Sequence, residues 1–151
     1  MPRYLVCFVL VFSFSALGMG QVNELCHIGS VKKVEVINLP LYVTTQTTVD
    51  EETFKLIYVY KVVINGVGRK YSGEIIDLLK IKYNKQESER GCDIRWNVNV
   101  TSKENDECDL FFDGFGMCGK VNGINIVFKE NRIIEWAKKE SPLFSQDPDD
   151  L

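Results

Sequence analysis

The clearest hydrophobic pattern in the chain is a strict alternation over residues 92–101. Five apolar side chains occupy every second position: Cys92, Ile94, Trp96, Val98 and Val100. The positions between them are polar. A side-chain period of two is typical of a β-strand with one buried face and one solvated face. We therefore predict a strand here, with other apolar segments as its partners.

Two further segments have the composition of strands. Residues 31–38 carry closely spaced apolar residues and stop before Pro40, which predicts one strand followed by an edge or a turn. Residues 54–64 form the most apolar run after the N-terminus, with tyrosine and β-branched residues on both faces. This run predicts an interior strand that is covered on both sides. The Thr-rich, acidic residues 44–53 predict a loop.

Two Asn-Gly pairs are flanked by apolar residues. Asn-Gly favours the tight turn of a β-hairpin because both turn positions need a positive φ. The pair at residues 65–66 predicts a hairpin whose return strand is residues 67–71. The pair at residues 122–123 predicts a second hairpin, with strands at residues 118–121 and 124–129.

Two segments have apolar residues at helical spacing. Residues 73–85 predict a helix with Ser72 as its candidate N-cap, although their alternation also fits a strand. Residues 130–139 predict a short amphipathic helix that packs one face on the sheet. The chain as a whole therefore predicts a mainly β domain, either an antiparallel sheet or a β-sandwich, with one or two short helices.

The N-terminus has the layout of a secretory signal peptide. Arg3 supplies one positive charge, residues 5–17 are apolar, and small residues precede a predicted cleavage between Gly20 and Gln21. A membrane anchor would need about 18 or more apolar residues, and this run is shorter. We therefore predict a secreted, extracellular protein with a leader at residues 1–20.

The rest of the chain divides into one domain and a tail. Residues 21–143 are enough for a single domain with a hydrophobic core. Residues 144–151 are acidic and poor in apolar residues, which is typical of a disordered tail. Removal of the leader removes Arg3, its only charge, and changes the formal net charge from −3 to −4. Such a mild charge predicts no nucleic-acid partner, and no transmembrane segment is expected after cleavage.

Cysteines are the main candidates for covalent links. Four of them remain once Cys7 leaves with the leader: Cys26, Cys92, Cys108 and Cys118. An even number in an oxidising compartment predicts two disulfides, with three possible connectivities. We favour Cys108–Cys118 as a local loop closure and Cys26–Cys92 as a long-range link. A zinc site is the competing use, but no Cys-x-x-Cys spacing occurs, so we expect neither a metal nor another cofactor.

Residues 106–119 have the most unusual composition in the chain. They combine glycines, which allow the chain to bend, with four large apolar side chains: Phe111, Phe112, Phe115 and Met117. We predict a constrained aromatic loop that lines an apolar pocket or docks on a partner. The alternative is that these side chains cap the core. The acidic residues match a calcium loop only in part, because Phe111 occupies a ligand position and the final glutamate is missing.

Two shorter features concern modification and catalysis. Asn99 begins an Asn-Val-Thr sequon on the face predicted to be solvated, which predicts N-glycosylation there. His27, the only histidine, follows Cys26, but a nucleophilic Cys–His pair needs a free thiolate, and we expect this cysteine to be oxidised. We therefore expect no enzyme, while a hydrolase that uses a pair of carboxylates stays as an alternative.

Residues 25–36, Leu-Cys-His-Ile-Gly-Ser-Val-Lys-Lys-Val-Glu-Val, resemble the opening of the MD-2-related lipid-recognition domains. In that family a cysteine after the leader is followed by Gly-Ser and by the first strand of a β-sandwich. The resemblance ends there, because the cysteine pair around the second strand and the cysteine of the last strand are missing. The chain also lacks the Gln-x-Val-x-Gly loop of cystatins, and we assign no family.

These features favour binding over catalysis. The first hypothesis is a secreted module that recognises an extracellular protein through the aromatic loop or a sheet edge. The second is a carrier of a lipid or another apolar small molecule in a cavity between β-sheets, lined by the aromatic loop and aromatic strand residues.

Overall fold

The computed structural model describes residues 19–86 and 91–140. The predicted acidic tail lies outside these residues, and so does the leader up to residue 18. Over the two described stretches, every helix is too short or too polar to cross a membrane.

Within those stretches, eight strands form one antiparallel sheet and four short helices accompany it. The strands are β1 (Gly20–Gln21), β2 (Val31–Asn38), β3 (Tyr60–Asn65), β4 (Lys82–Lys85), β5 (Ile94–Ser102), β6 (Glu107–Asp113), β7 (Cys118–Val121) and β8 (Ile124–Phe128). The helices are α1 (Val22–Cys26), α2 (Glu51–Ile57), α3 (Arg69–Leu78) and α4 (Arg132–Glu140). The order across the sheet is β1-β4-β8-β7-β6-β5-β2-β3. The prediction of a mainly β, antiparallel fold is confirmed, with one sheet and more helices than expected.

β2 and β5 pair side by side in the sheet, and both lie where the hydrophobic pattern predicts strands. Val34 lies opposite Val100, and Val36 opposite Val98. The row continues into β6, where Leu110 lies opposite Val98. Because residues two apart in a strand share a face, these rows form one continuous apolar surface.

A β-bulge interrupts the alternation of residues 92–101. The register between β5 and β6 shifts between Ile94 and Trp96, because β5 has one extra residue there. The side chains before this residue therefore point to the opposite face of the sheet from the one that the alternation predicts. Ile94 therefore joins the apolar cluster on the face opposite to Trp96. Polar residues of the strand are also buried, with Arg95 and Asn97 only 7% and 5% exposed. The prediction of one solvated face is wrong here because that face carries a second cluster.

Apolar side chains are thus buried on both faces of the sheet. On the first face, side chains of α1, α3 and α4 join the larger cluster, including Val22, Ile75 and Trp136. On the second face, α2 and the segment before it cover a smaller cluster: Leu39, Val49, Phe54, Ile94 and Phe111. Each large apolar side chain that is fully buried contributes roughly 1.5–3 kcal/mol, so both clusters stabilise the fold.

The apolar run at residues 54–64 does not form an interior strand, and that prediction is wrong. Its first part belongs to α2, because the carboxylate of Asp50 caps the helix by accepting a hydrogen bond from the Thr53 amide at 2.8 Å. The loop prediction for residues 44–53 is wrong over the first turn of this helix. Only Phe54 is buried on α2. The last part of the run is β3, which lies at the edge of the sheet.

The first Asn-Gly pair does not close a hairpin. Gly66 has a φ of 64°, as the turn would require. However, the chain enters α3 at Arg69, and the predicted return strand at residues 67–71 is wrong. The helix buries Ile75 and Leu78 in the larger cluster. Burial of these side chains on the first face therefore outweighs the local turn signal.

Residues 73–85 contain both predicted alternatives, since they include the second half of α3 and then β4. Ser72 lies inside α3, and Gly68 is the N-cap instead. The hydroxyl oxygen of Ser72 accepts a hydrogen bond from the Val31 amide at 3.0 Å. This serine therefore fixes the helix to the start of β2.

The second Asn-Gly pair and the last helix lie where they are predicted. Asn122 and Gly123 have φ values of 47° and 80° and connect β7 to β8. Positive φ at both positions is what a tight type I′ turn requires. α4 buries Ile133, Ile134, Trp136 and Ala137 on its inner side.

The two disulfides join Cys26 to Cys108 and Cys92 to Cys118. The formation of two disulfides is confirmed, but the favoured connectivity is wrong. In the β6–β7 register Phe112 lies opposite Gly119, so Cys118 is roughly 17 Å along the strands from Cys108. A disulfide needs Cα atoms within about 7 Å of each other. The hairpin geometry therefore excludes the local pairing.

Candidate functional site

The four apolar residues predicted as a binding loop divide into a buried pair and an exposed pair. Phe111 and Phe112 are consecutive on β6, so they are buried on opposite faces of the sheet, at 2% and 0% exposure. Phe115 and Met117 lie in the turn after β6 and are 78% and 52% exposed. The core alternative describes the first pair, and a binding role at the second pair stays a prediction.

A short turn holds Phe115 in solvent. The Asp113 carboxylate accepts hydrogen bonds from the amides of Met117 at 2.8 Å and Cys118 at 3.4 Å. Gly116 has a φ of 72°, and a Cβ there would meet the side chain of Asn131 at 3.1 Å. The turn is thus fixed by hydrogen bonds and by close packing against the residue before α4.

A second exposed segment lies against this turn. Leu41 contacts Gly114 closely enough that a Cβ on the glycine would overlap the leucine side chain. Leu41 and Tyr42 are 58% and 65% exposed. We name the surface formed by Leu41, Tyr42, Phe115 and Met117 the apolar rim. Sequence reasoning missed its first half, whose only signal is a pair of apolar residues directly after Pro40.

Tyr42 links the rim to the edge of the sheet. Its hydroxyl lies 3.4 Å from the hydroxyl of Tyr60, the first residue of β3. This hydrogen bond raises the pKa of Tyr42 above its ordinary value of 10.0. A tyrosine is uncharged at neutral pH even at that ordinary value. The rim is therefore an uncharged surface at the end of the sheet where β2 and β6 end.

A disulfide and a hydrogen-bonded arginine fix the two segments that carry the rim. The Cys92–Cys118 disulfide joins the start of β5 to the end of the Phe115 turn. Arg95 donates hydrogen bonds to the Asp93 carboxylate and to the Val43 carbonyl, both at 2.8 Å. Because Val43 follows Tyr42 directly, the arginine holds the Leu41–Tyr42 segment on β5.

Asn99 lies on the second face, in the middle of β5. Its side-chain amide donates to Asp109 Oδ1 at 3.3 Å, and the Asn97 amide donates to the same oxygen at 2.8 Å. The Thr101 hydroxyl lies 3.4 Å from Asn99 Oδ1. Glycosylation of Asn99 stays a prediction. A glycan there would stand on the polar part of the second face, away from the rim.

One cavity of about 260 Å³ lies beside β4, on the far side of the sheet from β3. It is lined by Met19, Ile81, Lys82, Tyr83, Asn84, Lys129, Glu130 and Arg132. Four of these side chains are charged, and the volume is below the roughly 300–1,000 Å³ of typical ligand pockets. The carrier hypothesis requires a space between two sheets, whereas this cavity lies beside β4 near one edge of a single sheet. That hypothesis stays a prediction.

The cysteines that could act as nucleophiles or metal ligands are engaged in disulfides. Cys26 is in a disulfide, so the Cys26–His27 pair does not offer a thiolate nucleophile. The Asp113 carboxylate lies near the sulfurs of Cys92 and Cys118. Those sulfurs are joined to each other, and a metal would need them as thiolates. This cluster therefore stabilises the turn.

Comparison of the chain with protein-family models, with curated proteins and with solved structures finds no match. The fold and the site geometry define the protein only as a disulfide-linked antiparallel sheet with helices on both faces and an exposed apolar rim.

Proposed function

We propose that this protein is a secreted module that recognises an extracellular protein through the apolar rim. The observation that supports the proposal is the exposure of Leu41, Tyr42, Phe115 and Met117, each more than half exposed, on two segments that meet. Exposed apolar side chains that lie together on a surface often mark a site of protein interaction. Aromatic residues and methionine are enriched at the centres of protein interfaces.

The fixed conformation of the two rim segments also supports a role in protein binding. Binding is weakened when loops must be ordered on association, at about 0.5–1.5 kcal/mol for each immobilised side chain. Here the disulfide and Arg95 fix both segments before any partner arrives. The rim therefore presents a preformed surface, which reduces that entropic cost.

The β3 edge is a weaker candidate surface for the same function. β3 carries Lys61, which forms an ion pair with Glu35 at 3.1 Å. A lysine on an edge strand is a common protection against pairing with another chain. Val63, 41% exposed in the middle of β3, still offers an apolar position there, so a substitution at Val63 separates the two surfaces.

The test uses the full secreted chain, with the double variant Leu41→Ser, Phe115→Ser on the rim and Val63→Lys on the edge as its matched control. Wild-type protein on beads is exposed to extracellular fluid of the source tissue. Each protein retained is then purified, and its Kd is measured by calorimetry with the three forms.

The proposal predicts that the rim variant weakens binding about tenfold or more, as loss of interface hot spots does, while Val63→Lys binds like wild type. Equal Kd values for wild type and the rim variant would overturn it. Loss of binding in Val63→Lys alone would assign recognition to the sheet edge. A lipid-sized mass that co-purifies with the wild type alone would favour the carrier.

A further inference from the structure

Gln21, the predicted first residue of the mature chain, is fixed at the sheet edge. It lies opposite Lys82 in the β1–β4 pair, and the next amide, that of Val22, donates to the Ile81 carbonyl at 3.1 Å. Because alternate amides of a strand point to its partner, the Gln21 amide points away from β4. It donates instead to Glu24 Oε2 at 3.4 Å. The nitrogen of Gln21 is therefore not used by the sheet and lies beside a carboxylate.

The charged groups near this residue are of both signs. Lys82 lies opposite Gln21, Glu24 accepts the hydrogen bond of its amide, and the wall of the cavity beside β4 includes Lys129, Glu130 and Arg132. An α-amino group is nucleophilic only when it is uncharged, so a base must remove a proton from it. Glu24 is hydrogen-bonded to this nitrogen and is placed to accept a proton from it.

We propose that Gln21, once it is released as the N-terminus, closes to pyroglutamate. The α-amino nitrogen attacks Cδ of its own side-chain amide, and a new C–N bond closes the lactam ring. The bond between Cδ and Nε2 breaks, and Nε2 leaves as ammonia. Glu24 accepts the proton of the attacking nitrogen and returns a proton to the leaving nitrogen. The step rests on the predicted cleavage between Gly20 and Gln21 and is independent of the apolar rim.

Cleavage before Gln21 removes Gly20 and its pairing with Tyr83, and the hydrogen bond from the Val22 amide to the Ile81 carbonyl then holds the start of the chain beside β4. The lactam keeps one N–H, which can still donate to Glu24. The hydrogen bond from Val22 to the Ile81 carbonyl does not involve the atoms that react. The mature chain therefore begins with an uncharged residue fixed on β4, which an aminopeptidase cannot remove as a free N-terminal amino acid.

The first measurement is the mass of the N-terminal peptide of the full chain secreted from eukaryotic cells. We expect a peptide that begins at Gln21 and lacks the mass of one ammonia. A peptide that begins at Gln21 with a free amine would overturn the proposal. A peptide that begins elsewhere would overturn the predicted cleavage and this proposal with it, and would leave the binding function to its own test.

The second measurement tests the role of Glu24. The chain is prepared with a protease site before Gln21, and ammonia loss is followed by mass after the site is cut. Glu24→Gln should slow the loss several-fold, while Glu52→Gln, an exposed carboxylate on α2, should leave the rate unchanged. Equal rates in the two variants would overturn the assignment of the proton transfer to Glu24.

Discussion

Arg95 is a buried charge whose contacts are all structural. The residue is 7% exposed, and it donates to the Asp93 carboxylate and to the Val43 carbonyl. Asp93 in turn accepts a hydrogen bond from the Val49 amide at 2.9 Å. A buried charge is tolerated only when its hydrogen bonds are satisfied. This network therefore fixes the segment between β2 and α2 on the start of β5.

We predict that Arg95→Ala lowers the free energy of unfolding by about 1–3 kcal/mol, because the Asp93 carboxylate and the Val43 carbonyl, both partly buried, lose a charged donor. Arg95→Lys should recover only part of the loss, since lysine cannot reproduce the fork of the guanidinium. Urea unfolding measures the free energies, and hydrogen exchange should show faster exchange of the Val49 amide. Lys103→Ala, at an exposed position, is the control. Wild-type stability in Arg95→Ala would contradict the role of the network.

Glu35 is a second residue whose charge contributes to stability. It forms ion pairs with Lys33 and Lys61, both at 3.1 Å. Burial raises the pKa of Glu35, but the hydrogen bonds from Lys61 and Lys33 outweigh burial and hold the pKa below its ordinary value of 4.5. A lowered pKa in the folded state contributes stability above the unfolded value, which is lost as the pH falls through the folded value.

We therefore predict that Glu35→Gln is less stable than wild type at pH 7, by about 0.2–1 kcal/mol for partly exposed pairs. The difference should shrink as the pH falls below 4.5, the ordinary pKa of this group. Unfolding midpoints in urea over a pH series measure both. A difference that stays constant with pH would show that the charge of Glu35 is not the cause.

At the scale of elements, the β6–β7 pair depends on a glycine for close approach. A Cβ on Gly119 would overlap the carbonyl oxygen of Phe111 on the neighbouring strand. The space is occupied by backbone, so a side-chain rotation cannot relieve the overlap. Gly29, in contrast, has open space where its Cβ would lie.

We predict that Gly119→Ala destabilises the protein by about 1–3 kcal/mol or more, the usual range for an overpacked site. Gly29→Ala is the matched control and should change the stability little. Thermal unfolding by circular dichroism compares the two variants. Equal melting temperatures for Gly119→Ala and wild type would contradict the close approach of these strands.

The two disulfides differ in how much of their cysteines is exposed to solvent. Cys26 and Cys108 are 3% and 0% exposed, whereas Cys92 and Cys118 are only partly buried. Reduction by thiol exchange requires access to a sulfur. The bond beside the rim is therefore the accessible one.

We predict that a mild reductant opens Cys92–Cys118 first and leaves Cys26–Cys108 intact. Alkylation followed by peptide mass spectrometry identifies the labelled cysteines. Removal of the accessible bond in Cys92→Ser, Cys118→Ser should lower stability by about 2–4 kcal/mol and speed hydrogen exchange in the Phe115 turn. Labelling of Cys26 and Cys108 at the same rate would contradict the difference in protection.

The elements that sequence reasoning placed correctly are those where local and tertiary preferences agree. Residues 31–38 form a strand whose apolar side meets the core, and the pair at residues 122–123 closes the hairpin between β7 and β8. The pair at residues 65–66 has the same local chemistry, but the following residues bury apolar side chains better as a helix. The alternation of residues 92–101 is unbroken at the bulge near Ile94. The sequence therefore could not predict that Ile94 and Trp96 lie on opposite faces of the sheet.

For the molecule as a whole, the candidate site was predictable only in part. Phe115 and Met117 belong to the segment with the unusual composition, and they are exposed as a binding loop requires. Phe111 and Phe112 could not be separated from them without the bounds of β6. Leu41 reaches the site by folding across the sheet, which single-sequence patterns do not encode. The glycan predicted on Asn99 and the secreted location stay predictions.

We propose that the apolar rim contacts a protein partner, and cross-linking tests this contact. A photo-reactive phenylalanine analogue placed at residue 115, and at the exposed residue 103 at the other end of the sheet as a control, tests the claim directly in extracellular fluid. We expect a protein cross-link from position 115 that is absent from position 103 and is lost when unlabelled wild-type protein competes. Cross-links of equal yield from both positions, or none from position 115, would contradict it.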